Sequence, residues 1–352
     1  MTPKKILVIR LSSLGDVVLA TSAVKALKKK FPDSHLSFLT KSAYAGVLKY
    51  NPHVDEILEY EKIRPLRRAG RTLKEAGYDL VADLHANPRS FLLSHWAKPA
   101  RILRYDKDIF GRRMMVWFKT GLSSPPRSVS EKYLDALAPL GVPADDRLPE
   151  IFTAPEDEKT ADELLKECGV GKGDLIIGVN PGGRAFTKKL PSKKYAELCN
   201  ALCRKLPGAR FVLFGDDKDI EDASAVAGAM GEAPAITAGR TSLPVACALV
   251  GRCAAFITND SGLMHVAVAL KVPVLAFFGA TVPQFGFFPL GEKDRIVQAT
   301  LKCRPCSLHG GGKCPAPPPG IQVVLDRHHP YGCFWRELFA KSSPRCRTAG
   351  KL

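Results

Sequence analysis

Short apolar runs alternate with longer stretches of helical period along the chain. The first run, KILVIR at 5–10, leads through a polar turn at 11–16 into apolar positions at helical spacing over 17–31. SHLSFLT at 34–40, EILEY at 56–60 and DLVADLH at 79–85 read as further strands, with RTLKEAGY at 71–78 as a helix. A polar, acidic stretch at 153–166 reads as a linker running into a helix. The pattern then restarts. DLIIGVN (174–180), ARFVLFG (209–215), AAFITND (254–260) and VPVLAFFG (272–279) read as strands, with helices over 193–205, 218–230 and 261–270. Strands that alternate with helices make parallel βαβ units. The pattern predicts an α/β protein of two Rossmann-like, doubly wound domains, at 1–155 and 170–325, followed by a C-terminal helix and a basic, frayed tail over 326–352. In such sheets ligands bind outside the carboxyl ends of the strands, so the informative residues belong in the loops just after strands.

A length of 352 residues agrees with two domains. No apolar run approaches the roughly 20 residues that span a bilayer, and the N-terminal apolar run is too short for a signal peptide. The expected location is the cytoplasm. The net charge of +17 changes the picture more. It concentrates anions, and the partner is nucleic acid, an anionic membrane surface or a phosphorylated substrate. A solvated basic surface gives the same number.

Three strand-to-helix loops carry chemistry. Ile257-Thr258-Asn259-Asp260-Ser261-Gly262-Leu263-Met264-His265 follows a buried strand and opens a helix. Asp260 or Ser261 caps that helix, Gly262 lets backbone amides approach a phosphate, and the helix dipole favours the anion. An ordinary capped helix with a packed His265 and Met264 fits the same residues. The loop from Asn180 to Pro191 brings Gly182, Gly183, Arg184, Thr187 and Lys188 together. Beside a helix N-terminus it makes a diphosphate clamp; alone it resembles many basic surface loops. The turn Arg10-Leu11-Ser12-Ser13-Leu14-Gly15-Asp16 lacks the GxGxxG fingerprint, which argues against classical NAD binding. It offers one carboxylate, Asp16, near a helix start. Asp16 is either a reactive base or an acid that favours the helix dipole.

Taken together, Ser12-Ser13-Leu14-Gly15-Asp16, Thr187-Lys188-Lys189-Leu190-Pro191 and Asn259-Asp260-Ser261-Gly262-Leu263-Met264-His265 resemble the ADP-heptose:lipopolysaccharide heptosyltransferases, glycosyltransferase family 9. Asp83-Leu84-His85 with Arg89-Ser90, and Gly279-Ala280-Thr281-Val282-Pro283, extend the resemblance over about residues 5–335. The Cys-bearing end is more similar to the second-heptose enzymes. Leu190 departs from the Trp often found before the proline of the middle motif. The resemblance implies a GT-B fold and inverting transfer of heptose from ADP-heptose to the lipopolysaccharide inner core. It implies Asp16 as catalytic base and Lys188 as the cation on the departing diphosphate. It implies a donor pocket of Thr187, Lys188, Asp219, Asp260, Ser261, Gly262, Met264 and His265, with Asp219 near the ribose. Arg10 and Ser13 are expected on the acceptor side. Arg67, Arg68, Arg112 and Arg113 are expected to meet acceptor phosphate or a peripheral anionic membrane surface.

Ten cysteines stand in the chain, none before Cys168. Cys168, Cys199, Cys203, Cys247 and Cys253 lie in apolar or helical surroundings and read as small core residues. Cys303-x2-Cys306-x7-Cys314, with Cys333 further on, has the ligand types of a structural zinc site but no second CxxC. Packed thiols and a redox crosslink fit the same spacing, and the transfer chemistry requires no cofactor. Two rival functions remain: a GT-B transferase with another sugar nucleotide, and a basic nucleic-acid-binding protein. The latter class interleaves aromatic residues with its basic clusters; here aromatics are 8% of the chain and the clearest motifs are phosphate loops. The expected partners therefore exclude nucleic acid.

Overall fold

A computed structural model describes residues 2–144, 146–298 and 301–314. The first sheet is built from β1 (Lys5–Ile9), β2 (His35–Thr40), β3 (Glu56–Glu59), β4 (Leu80–Asp83) and β5 (Arg101–Arg104). Around it run α1 (Leu14–Lys30), α2 (Ser42–Ala45), α3 (Leu66–Ala76), α4 (Pro88–Trp96), α5 (Ile109–Phe118) and α6 (Val129–Leu137). Helix α7 (Pro155–Glu167) follows. The second sheet takes β6 (Leu175–Asn180), β7 (Ala209–Leu213), β8 (Ala235–Ile236), β9 (Ala255–Asn259), β10 (Val274–Phe278) and β11 (Arg295–Gln298). Its helices are α8 (Ser192–Lys205), α9 (Ile220–Gly228), α10 (Leu243–Gly251) and α11 (Gly262–Ala269).

Every strand pair is parallel. The five-stranded sheet has order β3-β2-β1-β4-β5 and the six-stranded sheet β11-β10-β9-β6-β7-β8. Read from its own first strand, each sheet reverses direction once, between β1 and β4 and between β6 and β9. The crevice at such a reversal is where a doubly wound sheet binds its ligand. All three chemistry-bearing loops leave strands at these two points: 10–16 follows β1, 181–191 follows β6 and 260–261 follows β9.

Burial explains the strand pattern. Ile6 to Ile9 and Ala255 to Asn259 are buried throughout, because helices cover both faces of a parallel sheet. Helix α1 is buried along most of its length, and its last turn carries Lys28, Lys29 and Lys30, favourable at the negative end of the helix dipole. One apolar cluster runs from α1 and α6 of the first domain through to α10 and α11 of the second. The two domains thus share core rather than hang on a linker. Helix α7 packs on α10 and belongs with the second domain. Cys199, Cys247 and Cys253 are buried, as their apolar surroundings predict, while Cys168 and Cys203 are partly exposed.

The short edge elements lie outside the predicted pattern. β5, β8 and β11 have four, two and four residues. Such strands are completed by their neighbours and carry little periodicity of their own. Helices α4, α5, α6 and α10 were also missed; α5 buries no residue and so shows no inward apolar stripe. The expected helix and tail after residue 326 lie outside the described residues.

Candidate active site

The first half of the site gathers where β1 and β4 end. Asp16 lies in the first turn of α1 and is buried. One carboxylate oxygen pairs with the guanidinium of Arg10. The other accepts the Ser13 N–H at 3.1 Å and the Ser13 hydroxyl at 2.7 Å. Burial alone would raise the Asp16 pKa; Arg10, the Ser13 hydrogen bonds and His265 outweigh it and hold the carboxyl below its usual range. Arg10 is itself buried, donates to the Leu84 carbonyl at 2.6 Å and lies over the Tyr133 ring at 5.7 Å. Arg10 and Ser13, expected on the acceptor side, both contact Asp16 and fix its orientation, and Arg10 also ties the turn to the end of β4 through Leu84. Around this pair stand His85 and Lys107, each with its pKa lowered by burial and then by Arg10, His85 to about 4.

The second half gathers where β6 and β9 end. Asn259 stitches two loops together: its amide donates to the carbonyls of Pro181 at 2.9 Å and Gly182 at 3.0 Å, and its oxygen accepts the Leu190 N–H at 2.9 Å. Asn180 donates to the hydroxyls of Thr258 at 3.2 Å and Ser261 at 3.0 Å. Asp260 receives the Thr281 hydroxyl at 2.7 Å and pairs with the Lys188 ammonium at 2.7 Å. With Asp260 and Ser261 engaged in this way, neither caps α11 through a side-chain hydrogen bond, contrary to the expected cap. The helix therefore starts with no side-chain acceptor on its first amides, the condition under which a helix N-terminus binds an anion.

The two halves touch. A methyl group on Gly15 would come within 2.5 Å of the His265 ring, and one on Gly262 within 2.9 Å of the Leu14 Cβ. The N-terminal turns of α1 and α11 therefore abut, with the Asp16 carboxylate on one side and the α11 amides with Lys188 on the other. His265 is buried between them; burial overrides the nearby Asp260 and Asp16 carboxylates and lowers its pKa to about 4. It is neutral at physiological pH. Arg184 reaches across the domains to the Tyr44 hydroxyl at 2.6 Å.

Several residues sit differently from their expected roles. Met264 is fully buried in the core. Thr187 faces the Cys-rich loop: its hydroxyl accepts the Gly311 N–H at 2.8 Å, and its carbonyl accepts the Ala280 N–H at 3.0 Å. Asp219 accepts the Gly183 N–H at 3.1 Å and the Asp216 N–H at 3.2 Å, so it shapes the loop over β6. The Cys-rich loop at 301–314 delivers His309, whose pKa is lowered by burial and then by Lys188, with Asp16, Arg112 and Lys107 in range. His309 stands inside the Cys303–Cys314 spacing, where the cysteines alone are the candidate ligands, and no periodicity there marks the His as part of the cleft. Burial first, then Cys303, raises the Cys306 thiol pKa, with Cys314 also contributing. Among the described residues no three His, Cys, Asp or Glu side chains group as a metal site. Cys333 lies outside them.

A family model described as glycosyltransferase family 9 (heptosyltransferase) matches residues 66–310, well over half of the chain. The chain belongs to this family. Its family 9 relatives include lipopolysaccharide heptosyltransferase 2 of Salmonella typhimurium, 30% identical over 84% of this chain and 88% of that one. Lipopolysaccharide heptosyltransferase 2 of Escherichia coli is 29% identical, with the same two coverages. Among solved structures, a family 9 glycosyltransferase from Veillonella parvula superposes with a TM-score of 0.73 at 28% identity, covering 84% of this chain and 86% of that one. Escherichia coli ADP-heptose lipopolysaccharide heptosyltransferase II gives 0.67 at 25% identity, with 85% and 92% coverage. The family 9 fold is the GT-B arrangement of two facing Rossmann-like domains, in agreement with the two sheets described above. No helix among the described residues is long and apolar enough to cross a membrane.

Proposed function

We propose that this glycosyltransferase moves heptose, with inversion, from ADP-heptose to a sugar hydroxyl of the lipopolysaccharide inner core. The observation that carries the reading is the abutment of α1 and α11. It sets an ionised carboxylate opposite an uncapped helix N-terminus and a lysine. Lys188, the α11 amides and the loop held by Asn259 receive the diphosphate. Asp16 accepts the proton of the acceptor hydroxyl as that oxygen bonds to the anomeric carbon and the bond to the diphosphate breaks. Lys188 and the α11 dipole meet the charge that develops on the departing ADP. The choice of ADP-heptose rests on the relatives, which are named for this donor and for lipopolysaccharide.

On the acceptor side, His85 and Lys107 stand near Asp16, and Arg112 near Lys107, as positive and hydrogen-bonding groups that suit a phosphorylated or carboxylated oligosaccharide. An acceptor of this kind is lipid-linked, so the enzyme works at the cytoplasmic face of a membrane. Purified protein incubated with a panel of sugar nucleotides and truncated lipopolysaccharide, with product detected by mass, tests the reading. A heptose adduct formed from ADP-heptose alone supports it. Transfer only from another sugar nucleotide overturns the donor assignment. Zinc content measured on the same preparation decides the structural-metal expectation at Cys303, Cys306, Cys314 and Cys333, to which the transfer chemistry owes nothing.

A further inference from the structure

Helix α5 wears its apolar side outward. Its sequence is IFGRRMMVWF, and it contributes no buried residue. Ile109 is 50% exposed, Phe110 74%, Trp117 65% and Phe118 65%. At 100° per residue these side chains share about half of the helix circumference, with Arg113 inside the same arc. The opposite side carries the polar anchor. Arg112 turns inward, donates to the Tyr105 hydroxyl at 2.9 Å and lies 5.5 Å over the Phe287 ring. Just past the C-terminus, Lys119 donates to the carbonyls of Cys303 at 3.1 Å and Pro305 at 2.7 Å. The helix is therefore pinned to both domains on its inner side. A surface helix normally does the reverse, with its apolar stripe to the core and its charges in water.

We infer that the outer face of α5 is a membrane-docking face that inserts Ile109, Phe110, Trp117 and Phe118 among the headgroups of an anionic bilayer. Aromatic side chains on a helix lying in the interface plane are suited to that depth. Arg113 within the arc can extend its guanidinium back to lipid phosphates while its stem stays with the apolar groups. The charge of the chain, +17, draws it to an anionic surface and opposes pairing with a second copy of itself. The location gives the face its use. Arg112, on the inner side of the same helix, stands within electrostatic range of His309, and His309 within range of Asp16 and Lys188. A bilayer seated on α5 would bring a lipid-linked acceptor to the mouth of the cleft. This rests on the reading of the acceptor as lipid-linked. It also alters the expectation from charge alone, since an apolar wedge keeps part of the protein bound when salt screens the attraction.

The test compares the full chain with F110S/W117S/F118S. All three positions are exposed, so the fold is retained, and circular dichroism checks it. Vesicles of phosphatidylglycerol and phosphatidylethanolamine, and neutral phosphatidylcholine vesicles as control, are sedimented with each protein at low and high salt. The wild type is expected to prefer the anionic vesicles and to keep a salt-resistant fraction. The triple variant is expected to lose on the order of tenfold or more in partitioning. Both proteins are expected to transfer heptose equally to a deacylated, soluble acceptor. Equal vesicle binding by the two proteins overturns the docking face. So does a wild-type dimer in sedimentation velocity that the variant abolishes. Vesicle binding as expected, with no transfer to the soluble acceptor by either protein, overturns the catalytic reading and leaves the docking face standing.

Discussion

Replacing Asp16 separates a base from a structural partner. If Asp16 takes the acceptor proton, Asp16→Asn should cut turnover by about 10²–10⁴-fold. The surroundings make the stability effect larger than a helix-dipole argument suggests. Asp16 is the buried partner of Arg10, and removing one member of such a pair costs about 3–5 kcal/mol. Here Arg10 keeps the Leu84 carbonyl at 2.6 Å and the Tyr133 ring at 5.7 Å, so the loss should fall at or below the low end. Asn also retains an oxygen to accept from Ser13. A stability loss alone could lower the rate, so the assay pairs Asp16→Asn with R10M/D16N, which leaves no orphan guanidinium. Initial rates at saturating acceptor, ADP affinity by calorimetry and unfolding in urea are measured on both variants. Stability should recover in the double variant while turnover stays low and ADP still binds. Near-wild-type turnover in Asp16→Asn removes Asp16 from the proton transfer. Turnover restored by R10M/D16N makes the effect one of packing. The pH dependence has a definite sign. The Asp16 pKa is lowered in the folded chain, so the base form persists below the usual carboxylate range. Its stabilising contribution is present above the unfolded pKa near 3.8 and is lost as pH falls through the folded value.

Lys188→Ala should weaken ADP binding by about 1.5–3 kcal/mol, the size of a charge-assisted hydrogen bond, and lower the transfer rate; an unchanged affinity in calorimetry would take the lysine out of the clamp. His265 and His85 both have folded pKa values of about 4, so each binds its proton in the unfolded chain first. The stability from keeping them neutral is complete above about 6.5 and falls by up to about 1.4 kcal/mol per pH unit for each as pH drops toward 4. Urea unfolding between pH 7 and 4.5, with His265→Asn flattening the slope, checks this; an unaltered slope contradicts the assignment. Gly15→Ala places a methyl group 2.5 Å from the buried His265 ring and should destabilise the chain by about 1–3 kcal/mol, read as a shift of the urea midpoint.

The strands with continuous apolar runs, β1, β6, β9 and β10, were legible because burial on both faces demands such runs. The loops that follow β6 and β9 were legible by their small residues and hydroxyls just after a strand, and the loop after β1 by its single carboxylate at a helix start. What the sequence left open was the partner of each group. Asp16 as base and Asp16 as helix-dipole acid predict the same residue at the same position; its contact with Arg10 depends on β1 emerging beside α1. Asn259 lay in plain view within the strongest motif, yet its work is to hold Pro181, Gly182 and Leu190, which are about 70–80 positions away in the chain. His309 and α5 were invisible for opposite reasons. His309 is placed by a loop without periodicity, and α5 has a periodicity that points outward.

Lys188 and Asp260 show how the site can meet a diphosphate without rearrangement. A lysine with a free ammonium in a half-buried loop would fold back or leave for water. The 2.7 Å pair with Asp260, and the Thr281 hydroxyl on the same carboxylate oxygen at 2.7 Å, fix that ammonium beside the start of α11 before any ligand arrives. The pairing lowers the net positive charge offered to the ground-state diphosphate. In the proposed mechanism it would leave the lysine already oriented when the bond to the diphosphate breaks and negative charge builds on the leaving oxygen. A donor held in advance does more for the transition state than for the bound substrate, because no reorganisation is needed at the moment of reaction. Asp260→Asn should therefore tighten ADP, whose phosphates then meet an unpaired lysine, while slowing transfer. If both ADP affinity and turnover fall together in calorimetry and product assays, Asp260 holds the loop rather than tunes the lysine.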